Sequence, residues 1–194
     1  EIIVKIPKGK KIIDLSADFR LERIEEYERW YGSKHIAYSL QEEAVYGLTE
    51  IYKEEIKNGS LIACTGCNSA ATLYPVLPLL SEGVINSDNL TINIGAGVSG
   101  AGRDAKQNII HAEVSEGIKP YNIGKHRHIA ELEQEFKKAT DNKIGITFIP
   151  HLLPQNRGVL VSIPLASPAP IVHKTLKNFY KNAPFIIVLP IEEI

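Results

Sequence analysis

The apolar and polar stretches of the 194-residue chain alternate in a way that predicts strands and helices in turn. Short apolar runs bounded by polar residues, glycine or proline are typical of buried strands. Such runs occur at 10–16, 61–63, 89–97, 144–149, 159–165 and 185–189. Segments of helical composition between them predict helices at 22–30, in a short stretch ending near 58, and at 70–80, 129–139 and 170–181. The fold class predicted from this order is α/β.

The helix predicted at 70–80 differs from the others because almost every residue in it is apolar. A helix that is apolar on all sides is buried. It also contains Pro75 and Pro78, which remove backbone hydrogen bonds and clash with the preceding turn. We therefore expect this helix to be buried and bent or broken. Two further prolines make residues 150–158 a rigid, irregular loop in this interpretation.

The run from Leu61 to Leu73 contains the residue on which the functional interpretation depends. Its apolar part breaks at Gly66, which permits a tight turn, and Cys67 then opens the predicted helix. The first N–H groups of a helix have no intrahelical partner, and the peptide dipoles add up to partial positive charge there. Because such an environment stabilises the thiolate, the reactive form of cysteine, we interpret Cys67 as a nucleophile.

Two other interpretations of Cys67 remain open at this point. Free cysteines are often buried as small core residues. The spacing Cys64-Thr65-Gly66-Cys67 also fits a C-x-x-C pair, which occurs as a redox dithiol or as half of a zinc site. A zinc site needs two more ligands at similar spacing, and the sequence has no second C-x-x-C pair, so we do not expect structural zinc.

Polar residues that follow the first predicted strand form a second candidate group. In open α/β sheets ligands bind at the carboxyl ends of strands, so Ser16, Asp18 and Arg20 are well placed to touch one. The alternative is structural. In that case Ser16 or Asp18 caps the helix that follows, and Arg20 is solvated.

A turn of small residues follows the strand predicted at 89–97. In Val98-Ser99-Gly100-Ala101-Gly102-Arg103 the backbone can lie directly against a ligand, and its N–H groups can form an anion-binding nest. The run matches neither G-x-G-x-x-G nor the Walker pattern, so an ordinary turn is the alternative.

Histidine and arginine side chains supply the remaining candidates. His126-Arg127-His128 precedes the helix predicted at 129–139, and imidazole titrates near physiological pH, so this group can serve acid–base catalysis and anion binding. The alternatives are a structural role or a metal site shared with His111 or His151. No H-E-x-x-H spacing is present, and we expect no metal. Arg157 is a candidate clamp for carboxylate or phosphate because its planar fork matches both.

The charge balance limits the classes of partner. With 22 basic and 23 acidic residues the formal net charge is −1, which argues against a nucleic-acid or polyanion binder that depends on bulk charge. Two cysteines, no signal-peptide pattern and no apolar run of membrane-spanning length indicate a soluble protein of a reducing compartment, the cytoplasm, without a membrane partner. The chain contains no methionine, so we interpret it as an excerpt of a longer protein.

Six motifs, in a characteristic order and spacing, carry a family resemblance. They are Asp14-Leu15-Ser16-Ala17-Asp18-Phe19-Arg20-Leu21, Val45-Tyr46-Gly47-Leu48-x-Glu50, Gly66-Cys67, Val98-Ser99-Gly100-Ala101-Gly102-Arg103, His126-Arg127-His128-x-x-Glu131 and Pro150-His151-Leu152-x-Pro154-x-x-Arg157-Gly158. Across almost its whole length the chain resembles N-acetyl-gamma-glutamyl-phosphate reductase, a relative of aspartate-semialdehyde dehydrogenase.

The resemblance implies a Rossmann-type domain that binds NADP, followed by a mixed-sheet α+β catalytic domain. It assigns residues 1–66 to the end of the dinucleotide-binding domain and residues 67–194 to a truncated catalytic, substrate-binding domain. The family's Gly-rich cofactor fingerprint then lies upstream of Glu1, and its final helix lies beyond Ile194. We therefore expect this stretch alone to bind NADP poorly or not at all. Relatives imply a homo-oligomer, either a dimer or a tetramer.

The reaction implied by the resemblance is the NADPH-dependent reduction of a small-molecule acyl phosphate in arginine biosynthesis. N-acetyl-gamma-glutamyl phosphate becomes N-acetylglutamate semialdehyde, and phosphate is released. Cys67 attacks the acyl carbon and forms a thioester that is then reduced. His126, or alternatively His128, is the acid–base group at the substrate oxygen.

The other matching residues are implied to bind substrate or cofactor. Those implied for the substrate are Ser16, Arg20, Arg103, Glu131 and Arg157, with the arginines facing phosphate or carboxylate and Glu131 orienting the imidazole. The backbone of Ser99, Gly100, Ala101 and Gly102 is implied to lie against the nicotinamide end of NADP.

The chain departs from the family pattern around the nucleophile. Family members usually have Asn-Pro-Gly-Cys followed by an aromatic residue, Pro and Thr, whereas this chain has Cys64-Thr65-Gly66-Cys67-Asn68-Ser69-Ala70. Cys64 removes an amide that can help to hold the substrate. One alternative is therefore a reductase of lysine or arginine biosynthesis whose glutamyl or aminoadipyl phosphate is bound to an amino-group carrier protein. A non-catalytic fragment that retains a dehydrogenase fold is another.

Overall fold

The computed structural model describes residues 3–7, 9–102, 104 and 106–193, and it divides the chain into two compact units. The first unit consists of Glu1–Gly66 and Ala183–Ile186, and the second of Cys67–Asn182 and Ile187–Ile194. Among the helices of the described residues, none combines the length and the apolar character that are needed to span a bilayer.

A short parallel sheet lies at the centre of the first unit. Its strands are β1 (Ile12–Asp14), β2 (Ala44–Tyr46) and β3 (Leu61–Ala63), in the order β1-β3-β2. Both outer strands run parallel to β3. The helices of this unit are α1 (Ile24–Tyr31), α2 (Tyr38–Glu43) and α3 (Lys53–Asn58).

One face of this sheet carries a core cluster of the first unit. Phe19, Leu61 and Ala63 are buried together, and Ile12 of β1 packs against them. Because side chains alternate along a strand, Ile13 lies on the other face, where it is 64% exposed. The expectation of a buried strand at 10–16 is therefore wrong in both length and burial, since β1 is a three-residue edge strand with one covered face.

Two helices of the first unit end close to the predicted positions. α1 ends at Tyr31, where Gly32 takes a left-handed φ of 69°, and α3 ends at Asn58. α2 was not predicted. Its buried residue Gln41 donates a side-chain hydrogen bond to the backbone oxygen of Leu21. This is a tertiary contact that local sequence cannot predict.

A mixed sheet forms one layer of the second unit. Its strands are β4 (Leu90–Gly97), β5 (Lys119–Pro120), β6 (Ile146–Leu153) and β7 (Val159–Ser162), in the order β5-β6-β4-β7. β4 and β6 run parallel over eight residue pairs, while β7 pairs antiparallel with β4 and β5 antiparallel with β6.

The helices of the second unit supply the apolar side chains that the sheet needs. They are α4 (Cys67–Ser81), α5 (His111–Val114), α6 (His128–Ala139) and α7 (Ala169–Phe179). α4 packs against α6 and α7. The core contains residues of α4, β4 and α6 that are at most 1% exposed: Leu73, Val76, Leu79, Ile92, Ile94, Leu132 and Phe136.

Two elements, α4 and β6, continue through prolines that the sequence predicts to interrupt them. α4 is buried as predicted and runs continuously through Pro75 and Pro78, so of the two expected outcomes, a bend or a break, the break is wrong. Packing on several sides supports the helix although each proline removes a hydrogen bond. β6 likewise continues through Pro150 into the segment predicted to be a loop, and the Pro150 carbonyl accepts a hydrogen bond from the backbone N–H of Tyr121 at 3.0 Å.

The apolar run at 185–189 does not form the predicted strand. Phe185 and Ile187 are 87% and 83% exposed, and within the described residues no strand pairs with this run. An apolar run becomes a strand only when a neighbouring strand accepts its backbone hydrogen bonds. β7 also ends earlier than predicted, at Ser162 rather than 165.

Candidate active site

The thiol of Cys67 lies at the first residue of α4. The chain leaves β3 at Ala63, passes through Gly66 and begins the 15-residue helix at Cys67. Cys67 is exposed and forms no disulfide, so the interpretation as a buried core thiol is wrong. A free, accessible thiol at the positive end of a long helix is placed to act as a nucleophile.

The next residue, Asn68, connects this thiol to a distant part of the second unit. Cys67 Sγ donates to Asn68 Oδ1 over 3.5 Å, and Asn68 Nδ2 donates to the hydroxyl oxygen of Tyr121 over 3.3 Å. Asn68 is only 2% exposed, and its backbone oxygen accepts a hydrogen bond from Thr72 within the helix. The amide is thus fixed between a thiol and a phenol.

Tyr121 lies directly after β5 and is half-buried. Burial raises the pKa of its hydroxyl, the hydrogen bond from Asn68 lowers it, and the Coulombic effect of Cys67 raises it. The net direction is upward, so the phenol stays protonated at neutral pH and can donate as well as accept a hydrogen bond.

His126 is buried among rings from three directions. Its ring centroid is 5.5 Å from that of Tyr121, 4.6 Å from that of His128 and 5.1 Å from that of Phe148. The backbone N–H of His128 donates to Nδ1 of His126 at 3.2 Å. In the neutral ring the proton therefore sits on Nε2.

The surroundings of His126 keep its imidazole neutral. Its pKa is lowered to about 4, mainly by burial and next by the neighbouring His128; the charge of Glu131 acts in the opposite direction and that of Arg127 in the same direction. At pH 7 His126 therefore presents an uncharged Nε2–H donor. Such a donor is suited to an oxygen on which negative charge develops.

Glu131 lies beside His128, and its charge also acts on His126. His128 Nε2 is 3.8 Å from Glu131 Oε1, one helical turn further along α6, and the Glu131 side chain is fully buried. The role implied for Glu131 was to orient the catalytic imidazole. In the structure Glu131 pairs with His128, and its negative charge raises the pKa of His126.

The turn Val98–Ala101 and the loop around Arg157 lie against each other in the second unit. Backbone N–H groups of Val98 and Ser99 donate to Gln155 and Asn156 carbonyls at 2.9 and 3.2 Å. A Cβ on Gly97 would come within 2.9 Å of the Arg157 backbone, so this close approach needs glycine. Residues 99–102 and Arg157 are exposed, which leaves both segments accessible to a ligand.

Ser16 and Arg20 belong to the first unit, in the loop after β1. The Ser16 hydroxyl donates to Asp14 at 2.7 Å and accepts from the Asp18 backbone N–H at 3.2 Å. Arg20 Nε donates to the Cys64 carbonyl at 2.7 Å. Helix α1 begins after Arg23 without a side-chain cap, so the alternative in which Ser16 or Asp18 caps it is wrong.

Of the predicted site residues, the structure thus brings Cys67, His126, His128 and Glu131 into one connected cluster. Arg103 lies outside the described residues. Tyr121 was not among the predicted site residues, although its position five residues before His126 in a loop was visible. Within residues 3–7, 9–102, 104 and 106–193, no group of three or more His, Cys, Asp or Glu side chains is arranged to hold a metal ion.

Comparison with known proteins connects this chain to one family. A family model described as semialdehyde dehydrogenase, dimerisation domain, matches residues 67–194. The chain is 47% identical to N-acetyl-gamma-glutamyl-phosphate reductase of Rhodobacter capsulatus, over all of this chain and 57% of the relative. It is 48% identical to the same reductase of Roseobacter denitrificans over the same shares. The resemblance carried by the six motifs is confirmed, and the chain spans little more than half the length of these relatives.

Two solved structures share the fold. Aspartate semialdehyde dehydrogenase II from Vibrio cholerae matches with a TM-score of 0.56 at 15% identity, over 87% of this chain and 52% of that chain. Aspartate semialdehyde dehydrogenase with NADP from Candida albicans matches with a TM-score of 0.55 at 17% identity, over 86% and 48%. The predicted α/β fold class is confirmed, with a parallel sheet in the first unit and a mixed sheet in the second.

Proposed function

The chain belongs to the semialdehyde dehydrogenase family, and on that premise we propose that its protein reduces N-acetyl-gamma-glutamyl phosphate to N-acetylglutamate semialdehyde in arginine biosynthesis. The observation that carries this proposal is the exposed thiol of Cys67 at the start of α4, joined through Asn68 and Tyr121 to the buried imidazole of His126. A nucleophile and a neutral proton donor in one connected cluster are what acyl transfer requires.

In the proposed reaction the thiolate of Cys67 attacks the acyl carbon, the bond from that carbon to the phosphate oxygen breaks, and phosphate leaves. The acyl group is then held as a thioester on Cys67. His126 donates a hydrogen bond from Nε2 to the acyl oxygen as negative charge develops there. A bound nicotinamide cofactor, which we propose to be NADPH, supplies the hydride that reduces the thioester. When the Sγ–C bond breaks, the aldehyde leaves and the thiolate returns.

The small-residue turn after β4 fits the cofactor role that we propose for it. Ser99, Gly100, Ala101 and Gly102 are exposed, and a Cβ built on Gly100 would meet nothing within 4 Å. No side chain of the described residues therefore fills the space next to Gly100, so a flat ring can lie against the backbone there.

Five residues make up the proposed substrate-binding set. They are Ser16, Arg20, Arg103, Glu131 and Arg157. We propose that the arginines contact phosphate or carboxylate, for which a planar guanidinium fork is suited, and that Glu131 acts as a positioning residue through His128.

The proposed organisation of the protein follows the family. We propose that residues 1–66 end a dinucleotide-binding domain and that residues 67–194 belong to the catalytic domain, which also joins copies of the chain into a dimer or tetramer. We also propose a cytoplasmic location.

A carrier-linked acyl phosphate is a second candidate substrate, favoured by one observation. Asn68 and Cys64 stand where the family usually has an aromatic residue and asparagine, and Asn68 is built into the cluster by its bond to Tyr121. A residue next to the nucleophile that differs from the family pattern can accommodate a different acyl chain.

Turnover of the full-length protein tests both candidates. We expect phosphate- and NADP-dependent oxidation of free N-acetylglutamate semialdehyde, with NAD a poorer substrate. A kcat/KM at least about tenfold higher on a carrier-bound semialdehyde would instead assign the carrier-linked reaction. No oxidation of either aldehyde would contradict the proposed function.

A further inference from the structure

The amide of Asn68 contacts both the thiol of Cys67 and the phenol of Tyr121. We propose that Asn68 and Tyr121 are positioning residues that support the Cys67 sulfur in both of its protonation states and link it to His126. The inference rests on the proposed function in taking Cys67 as the nucleophile. It goes beyond that function by assigning roles to two residues outside the predicted set.

The geometry accounts for the protonated state. Cys67 Sγ donates its hydrogen to Asn68 Oδ1, and Asn68 Nδ2 donates to the Tyr121 hydroxyl oxygen. A primary amide carries an acceptor on one side and two donors on the other, so it satisfies both neighbours at once. Since Asn68 is almost fully buried, leaving either side without a partner would be costly.

The thiolate state needs the opposite arrangement, and the amide provides it by turning about its last side-chain bond. Nδ2 then donates to the negatively charged sulfur, and Oδ1 accepts from the Tyr121 hydroxyl. This requires a phenol that keeps its proton, as the raised pKa of Tyr121 ensures. An isosteric carboxylate cannot do the same, because it has no donor for the thiolate and adds a like charge beside it.

Tyr121 extends the support to the histidine. Its ring packs edge-on against His126, so the hydroxyl that faces Asn68 and the ring that faces His126 belong to one rigid side chain. Cys67 is the ionisable group that shifts the pKa of Tyr121. The charged groups that shift the pKa of His126 are His128, Glu131 and Arg127. No other titratable group is needed to explain the coupling.

The pH dependence of thiol alkylation tests the proposal without requiring turnover. The full-length protein in a Cys64→Ala background is treated with iodoacetamide at a series of pH values, and the rate at Cys67 is followed by mass spectrometry. For Asn68→Asp we expect the midpoint of the profile to rise by about one pH unit, which slows alkylation about tenfold at pH 7. The exposed Asn142→Asp is the matched control, and its profile should equal that of the parent.

Tyr121→Phe provides a second variant should Asn68→Asp fail to fold. It removes only the hydroxyl that holds the amide in its thiolate-supporting orientation, so we expect an upward shift smaller than that of Asn68→Asp. An alkylation profile equal to the parent's in every folded variant would overturn the proposal. Loss of turnover in Cys67→Ser tests the proposed function separately, because alkylation reports on the thiol whichever substrate is used.

Discussion

Two groups of polar residues, one in each unit, look similar in sequence but are built differently. At the end of β1 and in the loop after it, Asp14, Ser16 and Asp18 are linked by hydrogen bonds over two residues of chain, and Arg20 donates to the Cys64 carbonyl 44 residues away. In the second unit, Asn68 and Tyr121 meet across 53 residues of sequence. The hydrogen bonds among Asp14, Ser16 and Asp18 are local and exposed, whereas the bond between Asn68 and Tyr121 is long-range and part-buried.

The difference matters because burial changes the ionisation of His126 and Tyr121 in the second unit. The pKa of His126 is lowered to about 4 and that of Tyr121 is raised. Perturbed titration in a connected cluster is typical of catalytic groups. We therefore expect the cluster of the second unit to control kcat and the loop of the first unit to affect binding alone.

Removal of the His126 imidazole should have the largest effect on kcat. For His126→Gln we expect kcat to fall by about 10²–10⁴-fold, the usual contribution of a positioned proton donor. Steady-state kinetics of the full-length protein provide the measurement, and His111→Gln, at an exposed position, serves as the matched control. Retention of the parent kcat in His126→Gln would contradict the expectation that the cluster of the second unit controls kcat.

Replacement of Arg20 should have a smaller effect of a different kind. A charge-assisted hydrogen bond to substrate contributes about 1.5–3 kcal/mol, so for Arg20→Gln we expect KM to rise by about ten- to a hundredfold while kcat stays within about twofold. Arg29→Gln is the control, since Arg29 lies on the surface and pairs only weakly with Glu26 at 3.5 Å. A fall in kcat at unchanged KM would place Arg20 among the chemical groups instead.

The pH dependence of stability should show the smallest effect. The unfolded imidazole takes up a proton near pH 6.5, whereas folded His126 does so only near pH 4. Its contribution to stability is therefore complete above pH 6.5 and is lost as the pH falls from 6.5 to 4. We expect the unfolding midpoint of the parent to drop by a few degrees more than that of His126→Gln over this range. Equal drops in thermal melts would contradict the buried, neutral imidazole.

Local sequence predicts those helices and strands whose start, end and pattern depend on their own residues. The break at Gly66 placed Cys67 at the start of a helix, and the alternation at 89–97 gave nearly all of β4. What it missed depends on partners that are distant in sequence. β6 continues through Pro150, whose carbonyl accepts a hydrogen bond from the distant Tyr121 N–H. The run at 185–189 lacks a strand to pair with among the described residues.

The same limit applies to the site. Cys67 and His126 were chosen from their residue type and their place at helix starts, which is information that a motif carries. The bridge through Asn68 and Tyr121 depends on how α4 packs near the end of β5, which only the fold provides. Asn68 was visible as an unusual neighbour of the nucleophile, but its partner was not.

The proposed reaction depends on transfer of the acyl group to Cys67, and acylation in the absence of cofactor tests this step. The full-length protein is mixed with N-acetyl-gamma-glutamyl phosphate in the absence of NADPH, and released phosphate and peptide masses are measured together. We predict a rapid release of about one phosphate per chain and an acyl adduct on the peptide that contains Cys67, both lost in Cys67→Ser and both kept in Cys64→Ala. An adduct or phosphate burst that survives in Cys67→Ser would contradict this step.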